Sequence, residues 1–142
     1  MLSFTVERTI AAPIKVVWAL LEDFGNLDWY PGPSKVEVIG SGPGMTRRLH
    51  IEGAGAIDEV LESMDSAKYT FSYLIPNIPM PVTDYRGDVR LEAADNGATT
   101  KIYWTCQLTP QGISEADTQA MMEGVYADMI SNLEAAAQRH AA

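Results

Sequence analysis

The chain has 142 residues, 46% of them apolar and 20% charged, with a single cysteine, Cys106. That length fits one self-sufficient domain, and one cysteine supplies neither an intramolecular disulfide nor a zinc cluster. Nineteen acidic against ten basic residues leave a net charge of -9, which repels phosphate backbones and anionic bilayers and argues against nucleic acid and stable membrane association as partners.

No apolar run approaches the roughly 20 residues of a membrane-crossing helix, and no basic-then-apolar leader opens the sequence. The expectation is a cytoplasmic protein, monomeric or homodimeric, without metal or cofactor. No repeat or linker divides it, so residues 1–142 read as one unit. Residues 3–10 alternate, with Phe4, Val6 and Ile10 on one parity, and predict a half-buried strand. Pro13 then suits the first turn of a helix whose stripe is Val17, Leu20, Leu21 and Phe24, with Gly25 placed as its C-terminal cap. Residues 26–33, rich in Pro and Gly, predict a second short helical turn and a loop carrying Trp29 and Tyr30. Six strands follow at about 35–39, 45–51, 56–64, 68–75, 82–93 and 99–109, separated by turn-forming Gly, Asp and Asn and by a proline-rich loop at 75–81. Links this short pair neighbouring strands antiparallel. A helix over 114–139 closes the chain, capped by Ser114 and striped by Met122, Val125, Met129, Leu133 and Ala136.

The predicted fold is therefore α+β: a curved antiparallel sheet of about seven strands wrapped around a long C-terminal helix, with two short helices after the first strand. A straight helix loses contact with a strongly curved sheet along part of its length, so a cavity between them is expected.

Several segments in this order resemble the SRPBCC superfamily, the helix-grip group that includes polyketide cyclase/dehydrase-like proteins, START lipid-binding domains and birch pollen allergens. They are AAPIKVVW at 11–18, DFGNLDWYP at 23–31, GSGPGMTR at 40–47, EVLESMD at 59–65, Tyr73 with the proline loop and Tyr85, and PQGISEAD at 110–117. The resemblance spans nearly the whole chain. It implies the helix-grip fold and a pocket rim at Trp29 and Tyr30; the fold hosts carriers, receptors, cyclases and partner-binding proteins, so it does not select among them. Plant hormone receptors of the superfamily are similar around Arg47, Glu59 and Tyr85, but their gate sequences are missing here.

Strand parity separates the concave face from the outer one. It turns Met45, Arg47, Leu49 and Ile51 inward, then Ile57, Glu59 and Leu61, then Tyr69, Phe71, Tyr73 and Ile75, then Tyr85, Gly87, Val89 and Leu91. On the seventh strand the apolar set Ile102, Trp104, Cys106 and Leu108 puts Trp104 inside, whereas the family-like spacing back from Pro110 that the resemblance implies would put Tyr103 there. Arg47 and Glu59 are charges on apolar faces. They either anchor an oxygenated ligand, act as acid and base, or pair with each other. Tyr73, Tyr85, Tyr103 and Tyr126 offer phenols to a pocket or simply fill a core. Met121, Met122 and Met129, with Met80, offer adaptable apolar surface or ordinary helix packing. No catalytic residue is assigned; Arg47, Glu59 and Tyr85 are the candidates. The candidate ligand contacts are Trp29, Tyr30, Arg47, Leu49, Glu59, Phe71, Tyr73, Tyr85, Trp104, Met121, Val125 and Met129.

His50 falls on the outer parity and His140 in the tail, so no Ser-His-Asp, Cys-His or metal constellation assembles. The first functional reading is binding or transport of a hydrophobic small molecule such as a lipid, polyketide, quinone or sterol-like compound. A cyclase or dehydratase and a protein-interaction module built on the proline loop are the alternatives.

Overall fold

The computed structural model describes residues 1–141. Its strands are β1 (Leu2–Ile10), β2 (Lys35–Ile39), β3 (Thr46–Ile51), β4 (Gly55–Asp65), β5 (Thr70–Ile75), β6 (Val82–Ala94) and β7 (Thr99–Pro110). Its helices are α1 (Ile14–Glu22) and α2 (Glu115–Ala141). The strands form one antiparallel sheet in the order β1-β7-β6-β5-β4-β3-β2, so β1 crosses over to sit beside β7 at one edge. Irregular registers between Leu61 and Ser63 and between Thr83 and Arg86 mark bulges, which increase local twist and curve the sheet.

Alternation governs the core as the parity reading requires. Ile102, Trp104, Cys106 and Leu108 are buried on the concave face, and Tyr103 stands outside, with the Arg90 guanidinium 4.1 Å from its ring centroid. Helix α2 closes that face. The Ser114 Oγ accepts the Asp117 N–H at 3.1 Å, the cap expected from sequence. The buried stripe is wider than predicted: Thr118, Tyr126, Ile130 and Ala137 join Met122, Met129, Leu133 and Ala136, while Val125 is half-buried.

Three local expectations are corrected. Pro13 is not inside α1: it is the residue before the helix, extended at φ -65, ψ 149. Among the described residues only one helix, α1, lies between β1 and β2, where two short helices were expected. Beyond Glu22 the chain makes separate turns instead of a second helix, with Asn26 Oδ1 accepting the Asp28 N–H at 2.9 Å and the Leu27 carbonyl accepting the Tyr30 N–H at 2.9 Å. Pro31 and Pro33, which lack amide donors, stop any helix from propagating onward. Gly25 is not the cap of α1; Asp23 is. The glycine serves proximity instead, since a Cβ there would lie 2.8 Å from Val38 Cγ2.

Candidate functional site

Helix α2 makes its main backbone approaches to β1, β7 and α1. It therefore stands off from the β3–β6 half of the curved sheet. A pocket of about 310 Å³ occupies that gap. Its walls are Leu49 and Ile51 of β3, Ile57 and Glu59 of β4, Tyr73 and Ile75 of β5, Tyr85 of β6, and Met122, Val125, Tyr126 and Met129 of α2. Tyr30, Ala54 and the proline loop residues Ile78, Pro79 and Met80 complete it.

Two polar assemblies reach this apolar space. The first is an ion pair. Arg47 and Glu59 are direct cross-strand partners on β3 and β4, and Arg47 Nε donates to Glu59 Oε1 at 2.6 Å. Arg47 Nη1 also donates to the Phe24 carbonyl at 3.0 Å, and the guanidinium lies 4.0 Å from the Phe24 ring centroid. This satisfies the rule that a buried charge needs a partner. It also commits Arg47, which is only 4% exposed and sits behind the pocket wall.

The second assembly is a row of hydroxyls. Trp104 Nε1 donates to Tyr73 Oη at 3.1 Å, Tyr73 and Tyr85 share a hydrogen bond of 2.9 Å, and Tyr85 bonds Tyr126. An indole N–H can only donate, so the tyrosine protons are free to point onward along the row. Trp104 stacks on Tyr126 at 4.8 Å and fixes its ring. Gly87, opposite Tyr73 in the β5–β6 register, makes the row possible, because a Cβ there would meet the Tyr73 ring at 2.5 Å. Burial raises the pKa of Tyr73, Tyr85 and Tyr126 well above the phenol range, with the Glu59 charge adding to the effect at Tyr73. The three are neutral at physiological pH and serve as hydrogen-bonding groups instead of bases. Burial likewise pushes the Cys106 thiol up to about 11, leaving it unreactive.

Of the twelve candidate contacts, the structure brings Tyr30, Leu49, Glu59, Tyr73, Tyr85, Val125 and Met129 to the pocket wall, and the other five lie elsewhere. Arg47 is held behind Glu59. Phe71 packs against Trp18 and Phe24, and Trp104 lies one layer behind Tyr73 and Tyr126. Trp29 is buried against Tyr30, and its indole N–H is the one buried side-chain polar atom without a partner among the described residues. Met121 is half-buried beside the stripe. Sequence reasoning left Tyr126 and Met122 out of the candidate contacts, although the spacing Met122, Tyr126, Met129, Leu133 carried the signal. Met80 was among the residues expected to offer adaptable apolar surface, but no local signal indicated that Ile78 and Pro79 fold back with it as a wall. His50 pairs on the outer face with Glu37 at 2.7 Å. No cluster of His, Cys, Asp or Glu suited to a metal occurs among the described residues, and no helix among them is long and apolar enough to cross a membrane.

This architecture has solved counterparts. An uncharacterised protein from Bacillus thuringiensis shares 25% identity over 96% of this chain and 99% of its own, with a TM-score of 0.86. The Zhui aromatase/cyclase from Streptomyces sp. R1128 shares 22% identity over 97% of this chain and 94% of its own, at a TM-score of 0.76. Norcoclaurine synthase from Thalictrum flavum, solved with dopamine and hydroxybenzaldehyde, shares 15% identity over 99% and 88%, at 0.78. These last two likenesses are of fold alone. No curated protein matches by sequence. The family model described as polyketide cyclase/dehydrase and lipid transport matches residues 1–138. The chain thus belongs to the polyketide cyclase/dehydrase and lipid transport family, within the helix-grip SRPBCC superfamily.

Proposed function

We propose that this protein binds or carries a hydrophobic small molecule, of lipid, polyketide, quinone or sterol-like character, in the pocket between α2 and β3–β6. The observation that carries the reading is the composition of the wall: mostly aliphatic and Met side chains, interrupted by one carboxylate and a few phenols. Binding pockets combine apolar area with a few orienting polar groups, and about 310 Å³ lies at the small end of their usual range of about 300–1,000 Å³. Burial of ligand surface supplies about 25 cal/mol per Å², and Glu59 with the tyrosine row orients the ligand. The proposed setting is the cytoplasm, where lone Cys106 stays reduced. Mass spectrometry of gently purified protein under native conditions tests the reading. A co-purifying small molecule, or saturable uptake of an apolar fluorophore, is the expected result. Absence of both would remove the reading's support.

One observation favours a cyclase or dehydratase as the second reading: the Glu59 carboxylate shares a pocket with hydroxyl groups, an arrangement suited to proton transfer. Turnover of a bound compound that is lost on removing Glu59, with binding retained, would select it over the carrier. The proline loop supports the interaction-module reading less well, because Ile78, Pro79 and Met80 face the pocket.

A further inference from the structure

Resting on the pocket-binding reading, we infer a ligand class: the site takes an uncharged molecule whose polar end donates a hydrogen bond, such as a phenol or alcohol, and rejects carboxylates and other anionic heads. No Lys, Arg or His lines the pocket among the described residues. The nearest cation, Arg47, is consumed by Glu59, the Phe24 carbonyl and the Phe24 ring. Glu59 gives only one oxygen to that pair. Its other oxygen makes no hydrogen bond among the described residues and is not sealed off, so it opens on the pocket.

An ionised carboxylate only accepts. It therefore matches a ligand O–H or N–H and opposes a ligand anion, and the low dielectric of an apolar pocket strengthens both effects. The phenols do not offset this: the hydroxyls of Tyr73, Tyr85 and Tyr126 are already engaged with one another, and the Tyr30 phenol on the wall, whose pKa burial raises, is neutral. They tolerate a neutral oxygen but provide no countercharge. A net charge of -9 adds a long-range bias against anions approaching the mouth.

Calorimetric titration of the intact protein at neutral pH with naphthalene, 2-naphthol and 2-naphthoate tests the inference, since the three share one ring system and differ in the polar group. The expected order is 2-naphthol tightest, at least about tenfold over 2-naphthoate, as a hydrogen bond to a charged group predicts. In the double variant Arg47→Met/Glu59→Leu, which removes the pair together, the advantage of 2-naphthol over naphthalene should vanish. Equal or tighter binding of 2-naphthoate by the wild-type protein overturns the inference while leaving the pocket reading intact. Failure of all three probes to bind overturns both. The wild-type comparison stands on its own should the double variant fail to fold.

Discussion

Arg47 and Glu59 are worth more as a pair than either is alone. Both are nearly buried, and their 2.6 Å contact crosses two strands. Removing one partner strands the other charge, which for buried pairs costs about 3–5 kcal/mol, whereas replacing both with apolar groups is often close to neutral. Urea unfolding should therefore show Arg47→Met and Glu59→Leu each losing about 3–5 kcal/mol and the double variant losing much less than their sum. Additive losses would mean that the pair does not couple. The tyrosine row makes a prediction of its own. Folding raises the pKa of Tyr73, Tyr85 and Tyr126 above the unfolded value of 10.0, so the folded state holds protons that the unfolded state releases. The tyrosines' contribution to stability is full below about pH 10 and falls as pH climbs above it, at about 1.4 kcal/mol per pH unit for each titrating group. Cys106, raised from 9.0 to about 11, begins to contribute near pH 9. Urea midpoints measured from pH 8 to 11 should drop at the alkaline end, and Tyr85→Phe should flatten the slope. Strand parity made Arg47, Glu59, Tyr73 and Tyr85 legible from sequence, because side-chain direction on a strand has a period of two. It could not show which inward residues meet a void and which meet another layer. Phe71 and Trp104 share the parity of Tyr73 and Tyr85, yet lie behind the pocket.

Helix α2 divides its labour along its length. Met122, Val125, Tyr126 and Met129 face the pocket, while Leu133, Ala136 and Ala137 lie in the fully packed core. Near that end Glu134 Oε2 accepts the Ala11 N–H at 2.8 Å, tying α2 to the turn between β1 and α1. The pocket-facing half begins at the Ser114 cap, so the cap sets how firmly that wall is held. Ser114→Ala removes the acceptor of the Asp117 N–H and should cost about 1 kcal/mol in a chemical melt, with faster amide exchange confined to the first turns of α2. Loss spread evenly over the molecule would contradict this local role. Elements were legible where one local signal ruled, as in the alternating strands and the Ser114 cap. They were misread between Asp23 and Pro33, where glycine had two possible uses. Gly25 looked like a cap by position along the chain, but the close approach of Val38 from β2, a long-range contact, is what it accommodates.

At the scale of the whole molecule, one curved sheet holds two kinds of apolar environment. Strands β1 and β7 meet α2 and α1 in a close-packed core, and β3–β6 face the pocket. Atoms lining a void lack neighbours on one side and forfeit part of their dispersion energy, so a ligand filling the pocket stabilises the fold by mass action. At one hundred times Kd the gain is about 2.7 kcal/mol, and for a domain near this size each kcal/mol moves Tm by about 2–4 °C. Saturating 2-naphthol should therefore raise Tm by about 5–10 °C. The two environments can be separated by comparing substitutions in each. Leu133→Ala, in the core and fully buried, should lower stability by about 2–5 kcal/mol while keeping the ligand-induced rise in Tm. Ile57→Trp, which fills the pocket from β4, should leave the starting Tm nearly unchanged but abolish the rise. If the rise were instead lost in Leu133→Ala and kept in Ile57→Trp, the ligand would be binding elsewhere than between α2 and β3–β6.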